Sequence, residues 1–290
     1  MGGKMITSSA NSRVKQIIQW QTKAKERRKD KVFLVEGMKL FEEAPIEQIK
    51  EVYISKSMAE KLSLGQDIGE PSKNPDAEFD AKKDACNETH YNRKKLLQTG
   101  YEIVADDLFL KMSDTQTPQG ILSVLHQKEY SLEDLLKQEN PLFMILENLQ
   151  DPGNLGTILR TSEGAGVTGV IMSSQTVDIY NPKTIRATMG SIYRVPFVYV
   201  EDLGRVLDML HQKKIHTYAA HLKGKDYYLD QQFKEPSAFL IGNEGNGLSK
   251  EIADLADKYI KIPMEGRVES LNAAVAAALL MYEAHRQRNL

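Results

Sequence analysis

The sequence predicts an α/β protein in two parts: a C-terminal, mostly parallel sheet covered by helices, preceded by a smaller α/β unit. Three observations carry this reading. From Leu142 onward, short apolar runs recur at regular intervals with helical patterns between most of them. Such alternation implies a parallel sheet buried on both faces. Residues 1–127 show a shorter version of the same alternation, and residues 128–140 are polar, stop at Pro141 and read as the connection. A chain of 290 residues has room for two ordinary domains.

Composition narrows the class. The 41% hydrophobic and 27% charged content is that of a globular protein in water. No apolar run approaches the about 20 residues that a membrane-spanning helix needs, and the N-terminus lacks the apolar stretch of a signal peptide. A cytoplasmic protein without a membrane partner is therefore expected. Cys86 is the single cysteine, which excludes an internal disulfide, and no Cys/His spacing resembles a metal site. The net charge of −2 is unevenly spread: through Lys31 there are nine Lys and Arg residues against Glu26 and Asp30. Two readings stay open for this block. It is a set of solvated helix faces, or a basic arm for nucleic acid in which Arg13, Lys15, Arg27 and Arg28 meet phosphates.

In chain order, Ser12 stands as a cap for a helix through Val14, Ile17 and Ile18. Residues 32–35 form a short buried strand ended by Glu36-Gly37, followed by a helix over 38–43 and a strand over 52–54. Residues 65–95 turn polar, with Pro71 and Pro75 and few apolar anchors, and read as a mobile surface insertion. A strand at 101–104, a helix at 106–112 and a strand at 120–125 complete the unit. In the second part strands are expected at 142–146, 170–172, 197–200, 215–220, 238–241 and 259–262. Helices are expected at 154–164, 183–193, 203–213, 249–256 and 271–286.

Gly164-Ala165-Gly166-Val167-Thr168-Gly169 matches the spacing of a dinucleotide-binding loop. That motif works only with a strand before it and a helix N-terminus after it, facing the pyrophosphate. Here the helix leads in and the strand leads out, so the glycines read as a helix stop.

Three strand-to-helix junctions are more informative, because ligands of open α/β sheets collect at the C-terminal ends of strands. The first, residues 147–154, is rich in turn residues and feeds a helix that buries Leu155, Ile158, Leu159 and Ser162 and points Arg160 the other way. The second, Gly242-Asn243-Glu244-Gly245-Asn246-Gly247-Leu248-Ser249, follows a buried strand, and Gly242 leaves room for a flat ligand against bare main chain. The third runs Ile262-Pro263-Met264 to Ser270-Leu271-Asn272 and opens an Ala-rich helix. Ser270 stands at the position of an N-cap, whereas Asn272 is a poor first-turn residue. Locally this is a capped turn; alternatively Ser270 and Asn272 hold a ligand.

Asn154-x-Gly156-x3-Arg160, Ile241-Gly242-Asn243-Glu244-Gly245-x-Gly247-Leu248, and Ile262-Pro263-Met264 through Ser270-Leu271-Asn272 resemble the three signature motifs of the SpoU/TrmH family. These are S-adenosylmethionine-dependent RNA ribose 2'-O-methyltransferases of the SPOUT superfamily. Order, separation and junction type all match from Leu142 to the C-terminus. Residues 33–37 and 119–121 are similar to pieces of the RNA substrate-binding domain that precedes this core in many members. The resemblance implies a trefoil knot in the C-terminal segment and a homodimer formed near it. It implies that Gly242, Ile262, Met264, Ser270 and Leu271 hold the cofactor. It also implies that Asn154, Arg160, Glu244, Ser270 and Asn272 form the catalytic surroundings, with Arg160 at the target ribose, from its own subunit or the partner's. Ribosomal RNA is the favoured substrate and transfer RNA the alternative; a non-catalytic RNA-binding protein on the same scaffold is the rival reading. No metal is implied.

Overall fold

A computed structural model describes residues 5–64, 84–267 and 270–290. The chain divides into two compact units, Met1–Gln127 and Lys128–Leu290.

The first unit is built from α1 (Ser12–Thr22), α2 (Ala24–Asp30), β1 (Val32–Glu36), α3 (Met38–Glu43), β2 (Ile49–Ser55), α4 (Lys56–Lys61), α5 (Asp84–Thr99), β3 (Glu102–Val104), α6 (Asp106–Met112) and β4 (Ile121–His126). Its four-stranded sheet has the order β1-β4-β2-β3. β4 runs antiparallel to both neighbours and β2 parallel to β3.

The basic block is not an arm. Helix α1 buries Val14, Ile17 and Trp20 against Val32, Leu34 and Phe109, and each such side chain contributes about 1.5–3 kcal/mol when fully buried. Its cap is Asn11, whose side chain accepts from the Arg13 N–H at 2.9 Å, rather than Ser12. Arg27 is 3% exposed. Its Nη1 donates to the carbonyls of Trp20 at 2.6 Å and Gln21 at 3.1 Å, holding the α1–α2 corner together. The expectation that Arg27 meets RNA is therefore wrong: the break between α1 and α2 at Lys23 turns the residue inward. Arg13 pairs with Glu102 on the surface. Lys15 and Arg28 are exposed.

The expected insertion also differs. Residues 65–83 lie outside the described residues, but 84–99 form α5, and Lys95 and Leu96 are buried in it. The Lys95 amine donates to the carbonyls of Phe41, Glu42 and Ala44 at 2.6–2.8 Å, closing the open end of α3. Burial lowers its pKa, against the pull of Glu42 and Glu47. A buried cation that satisfies three carbonyls looks in the sequence like any solvated lysine, which is why no helix is expected there from the residues alone.

The second unit comprises α7 (Leu132–Leu135), β5 (Leu142–Leu146), α8 (Pro152–Ala165), β6 (Gly169–Ser173), α9 (Pro182–Thr188), β7 (Phe197–Val200), α10 (Leu203–Gln212), β8 (His216–Ala220), β9 (Asp226–Tyr227), β10 (Ser237–Ile241), α11 (Lys250–Asp254), β11 (Lys258–Lys261) and α12 (Ala273–Arg288). Its seven strands lie in the order β7-β6-β5-β10-β8-β11-β9, and all the pairings are parallel. β5 leads by α8 to β6 on one side, while its other neighbour, β10, leads away to β11. The chain therefore reverses its winding direction between β5 and β10, where their C-terminal ends leave a crevice. Strand β5 is buried along its whole length.

Two helices depart from expectation. Residues 183–193 do not form one helix: α9 stops at Met189 and Gly190, both at positive φ, before a short 3-10 turn. Gly166 closes α8 in a left-handed conformation, as the helix stop expected there. The N-cap of α12 is Asn272, whose Oδ1 accepts from the amides of Ala274 at 2.9 Å and Val275 at 3.3 Å. Ser270 does not fill that place, and the residue that looked misplaced in a first turn is the cap itself. Within 128–140, Leu135 and Leu136 are buried in the core of this unit.

Candidate active site

Three loops meet at the crevice between β5 and β10. Glu147, at the end of β5, is 7% exposed. It accepts from the Ser249 amide at 2.7 Å and hydroxyl at 2.6 Å, tying the start of α11 to the central strand. The loop after β10 is closed on itself by Asn243 and Gly247, which exchange backbone hydrogen bonds at 3.0 and 2.8 Å. The Asn243 Oδ1 accepts from the amides of Gly245 at 2.8 Å and Asn246 at 3.2 Å, and its Nδ2 donates to the Asn148 carbonyl at 2.9 Å. A Cβ on Gly242 would lie 2.0 Å from the Gly247 carbonyl carbon and 2.1 Å from the Leu248 nitrogen. Gly242 is thus required by the return of its own loop, and the space expected for a flat ligand at this Cβ is taken by main chain.

Glu244 projects from that loop across to the first junction. Its Oε1 accepts from the Asp151 amide at 2.9 Å and from the Asn154 Nδ2 at 3.0 Å, and its Oε2 accepts from the Gln150 amide at 3.0 Å. Desolvation would raise its pKa, but these hydrogen bonds together outweigh it and hold the carboxyl below the usual glutamate range. Asn154 in turn accepts, through Oδ1, from the Nδ2 of Asn272 at 2.9 Å. One continuous chain of side-chain hydrogen bonds therefore joins the loops after β5, β10 and β11. Asp151 caps α8 by accepting from the Asn154 amide at 2.8 Å, which fixes where Asn154 stands. Gly156 lets α8 lie against α9, since a Cβ there would come within 2.5 Å of the Ala187 Cβ.

A cavity of about 300 Å³ opens beside this chain. Gly242, Ile262, Met264, Ser270 and Leu271, the five residues expected to hold a cofactor, all border it, as does Glu244. Asn154 and Asn272 stand behind the wall through their hydrogen bonds. Arg160 does not border the cavity: it is exposed on α8, about 9 Å along the helix axis from Asn154 at 1.5 Å per residue.

Sequence reasoning missed two groups. The end of β8 and the residues after it (Ala220, His221 and Leu222) also line the cavity, because β8 is the neighbour of both β10 and β11. Strand order, not sequence order, puts it there. Asn243 lay inside a recognised motif, but nothing local distinguished its role as the organiser of the loop from that of an exposed polar residue. Among the described residues no group of His, Cys, Asp and Glu could hold a metal ion.

The model of the SpoU rRNA Methylase family matches residues 141–282, and that of the MRM3-like substrate binding domain matches residues 11–123. The chain is 32% identical over 281 residues to the 23S rRNA (guanosine(2553)-2'-O)-methyltransferase RlmP of Bacillus subtilis, covering 96% of this chain and 98% of that one. It is 32% identical over 200 residues to the 23S rRNA (uridine(2479)-2'-O)-methyltransferase of Streptomyces viridochromogenes, covering 67% and 70%. The crystal structure of the SpoU methyltransferase AviRb from the latter organism superposes with a TM-score of 0.76 at 27% identity, over 96% of this chain and 98% of that one. The S-adenosylmethionine-bound rRNA methyltransferase of Sinorhizobium meliloti superposes with a TM-score of 0.76 at 27% identity, over 98% and 97%.

The cavity fits this cofactor. Its volume lies at the lower end of the roughly 300–1,000 Å³ typical of small-molecule pockets. Its lining combines apolar residues such as Leu248, Ile262 and Leu271 with glycines and the polar Ser270, which suits a flat heterocycle with polar edges. The fold, the cavity and both matched segments lead to one assignment: the chain belongs to the SpoU rRNA methylase family.

Proposed function

We propose that this protein transfers a methyl group from S-adenosylmethionine to a ribose 2'-hydroxyl of large-subunit ribosomal RNA. The observation that carries the reading is the Asn272–Asn154–Glu244 chain, which ends in Glu244 at a cavity that the five positions expected to hold the cofactor also border. The cofactor supplies a methyl carbon activated by an adjacent positive sulfur. Gly242, Ile262, Met264 and Leu271 hold it with main chain and apolar contacts, and Ser270 offers a hydroxyl. Transfer then needs the 2'-oxygen held in line, which is a task of positioning.

Glu244 is ionised and its oxygens are occupied by three donors, so it sets the loops rather than taking the hydroxyl proton. Arg160 is the group for the ribose and its phosphate. A guanidinium does not readily lose a proton, so its role is to clamp the phosphate and stabilise charge on the 2'-oxygen.

A homodimer belongs to the same proposal. Helix α12 exposes Val275 (48%), Leu279 (37%) and Tyr282 (50%) on one stripe, bordered by Thr157 of α8. Arg160 shares the face of α8 that carries Thr157 and Gly164, by the three- and four-residue spacing of a helix. A second copy covering the stripe would lie beside Arg160, which supports its acting on the partner's cavity. The trefoil knot rests on the family likeness and on Ile262, Met264, Ser270 and Leu271 sharing a cavity with the loop after β10. Cytoplasmic residence follows from the substrate; no helix among the described residues is long and apolar enough to cross a membrane.

The test is labelled methyl transfer to total ribosomal and transfer RNA, with 2'-O-methyl mapping of the product. Label at a ribose of large-subunit RNA is expected. Label confined to bases, to transfer RNA, or absent from all RNA overturns the reading.

A further inference from the structure

Beside the cofactor cavity lies a second hollow of about 620 Å³, between the segment after β8 and helix α11. His221 and Leu248 are walls of both. The hollow is charged: Lys223, Lys225, Lys250 and Lys258 border it, with Asp226, Asp254 and Asp257. Two of those carboxylates are engaged within the fold. Asp254 accepts from the Tyr259 hydroxyl at 2.5 Å. Asp257 accepts from the Thr217 amide at 2.8 Å and hydroxyl at 3.0 Å, and lies 3.5 Å from His211. None of the four lysines forms an ion pair among the described residues; Lys258 donates to Gln231 instead. A fifth, Lys261, lines the cofactor cavity and stands 4.8 Å from the centre of the Tyr227 ring, which is 44% exposed.

We propose that this hollow carries the phosphate backbone of the RNA strand adjoining the methylated nucleotide, with Lys223, Lys225 and Lys250 as its phosphate contacts and Tyr227 as a stacking face for a base. The inference rests on the ribose methyltransferase reading. A ribose presented over the cofactor cavity brings its flanking phosphates within one nucleotide of the shared His221–Leu248 wall. Lysines without carboxylate partners there release counterions when a polyanion docks, and this favours binding without regard to base sequence. Lysine, a hydrated point charge on a flexible stem, suits a backbone that must slide into register. An exposed tyrosine beside such lysines is the pairing that unstacked RNA bases use.

The experiment uses the full chain carrying Lys223→Glu/Lys225→Glu. Binding to a large-subunit rRNA transcript is measured across a salt series, and S-adenosylmethionine affinity by calorimetry. RNA affinity is expected to fall at least ~10-fold at low salt. The slope of log K against log salt should shrink by about 1.4–1.8, the value for two phosphates that the protein no longer neutralises. Cofactor affinity stays within about twofold, since neither lysine borders its cavity. Lys223→Arg/Lys225→Arg retains the slope. As a control, Lys213→Glu/Lys234→Glu changes the same charge at exposed sites that precede β8 and β10, at the opposite ends of those strands, and leaves RNA binding unchanged. A wild-type slope in the first variant, or an equal loss in the control, overturns the proposal; an acidic polypeptide would then be the remaining occupant. A wild-type protein that binds rRNA but methylates none of it overturns the underlying reading instead.

Discussion

The Nδ2 of Asn272 donates to the Oδ1 of Asn154 at 2.9 Å across 118 residues of sequence. The same Asn272 caps α12 through its Oδ1, and the same Asn154 donates onward to Glu244. The Asn272 side chain thus serves a helix end and the site together, and through Asn154 the start of α12 and the loop after β10 hold each other in place.

Substitutions at Asn272 separate the two duties. Asn272→Ser keeps a good cap and loses the amide donor, while Asn272→Ala loses both. Thermal or denaturant unfolding is expected to show about 1 kcal/mol less stability for Ala than for Ser. Methyl transfer is expected to fall in both, by roughly tenfold or more, the rate equivalent of about 1.4 kcal/mol. Full activity in Asn272→Ser would show that the bond to Asn154 is dispensable.

Gly242→Ala places a methyl group 2.0 Å from the Gly247 backbone, where no flexible side chain can give way. The loop must open, at a cost of about 1–3 kcal/mol for overpacking. Calorimetry should show cofactor affinity weakened by at least ~10-fold, the equivalent of about 1.4 kcal/mol. Wild-type affinity would mean that the loop tolerates a different return path.

Glu244 gives the pH dependence a sign. Its folded-state pKa lies below the ordinary 4.5, so the folded state binds its proton less readily than the unfolded chain. Its contribution to stability is present above 4.5 and is lost as pH falls through the ordinary value and then the lower folded one. The Glu244→Gln protein should be less stable at neutral pH and show a shallower loss on acidification. Parallel stability–pH curves for the two proteins would contradict this.

Arg160→Ala and Gly242→Ala chains, mixed and allowed to exchange, test whether Arg160 serves its partner. Each single variant is expected to be nearly inactive, and the mixture to regain about one quarter of wild-type activity, since half of the dimers carry one complete site. Cofactor affinity of Arg160→Ala should be unchanged, because the residue does not border the cavity. No recovery would place Arg160 at its own subunit's site.

In the first unit, Arg27→Ala and Arg28→Ala should behave oppositely. Arg27 donates to two carbonyls from a buried position, so its loss should cost stability by about 1.5–3 kcal/mol. Arg28 is exposed and should instead lower RNA affinity and its salt slope at unchanged melting temperature. Deleting the basic block would answer neither question, because α1 carries Val14, Ile17 and Trp20 of the core.

The α/β class and most of the strands were legible in the order of residues alone, and the motifs at strand ends pointed to five residues that the fold brings to one cavity. Those signals are local: alternating apolar runs, glycines at turns, and motifs at the ends of strands, each readable within a short window. What depends on distant neighbours emerged only with the fold. Arg27 is buried because a helix break turns it onto the α1–α2 corner, and α5 forms where a lysine finds three carbonyls at the end of another helix. His221 and Leu222 reach the cavity because β8 lies beside β10 and β11. Asn272 looked anomalous along the chain, because its two partners are the first turn of its own helix and an asparagine at the start of α8. A hydrogen bond closed across so much chain leaves no periodic trace in the sequence.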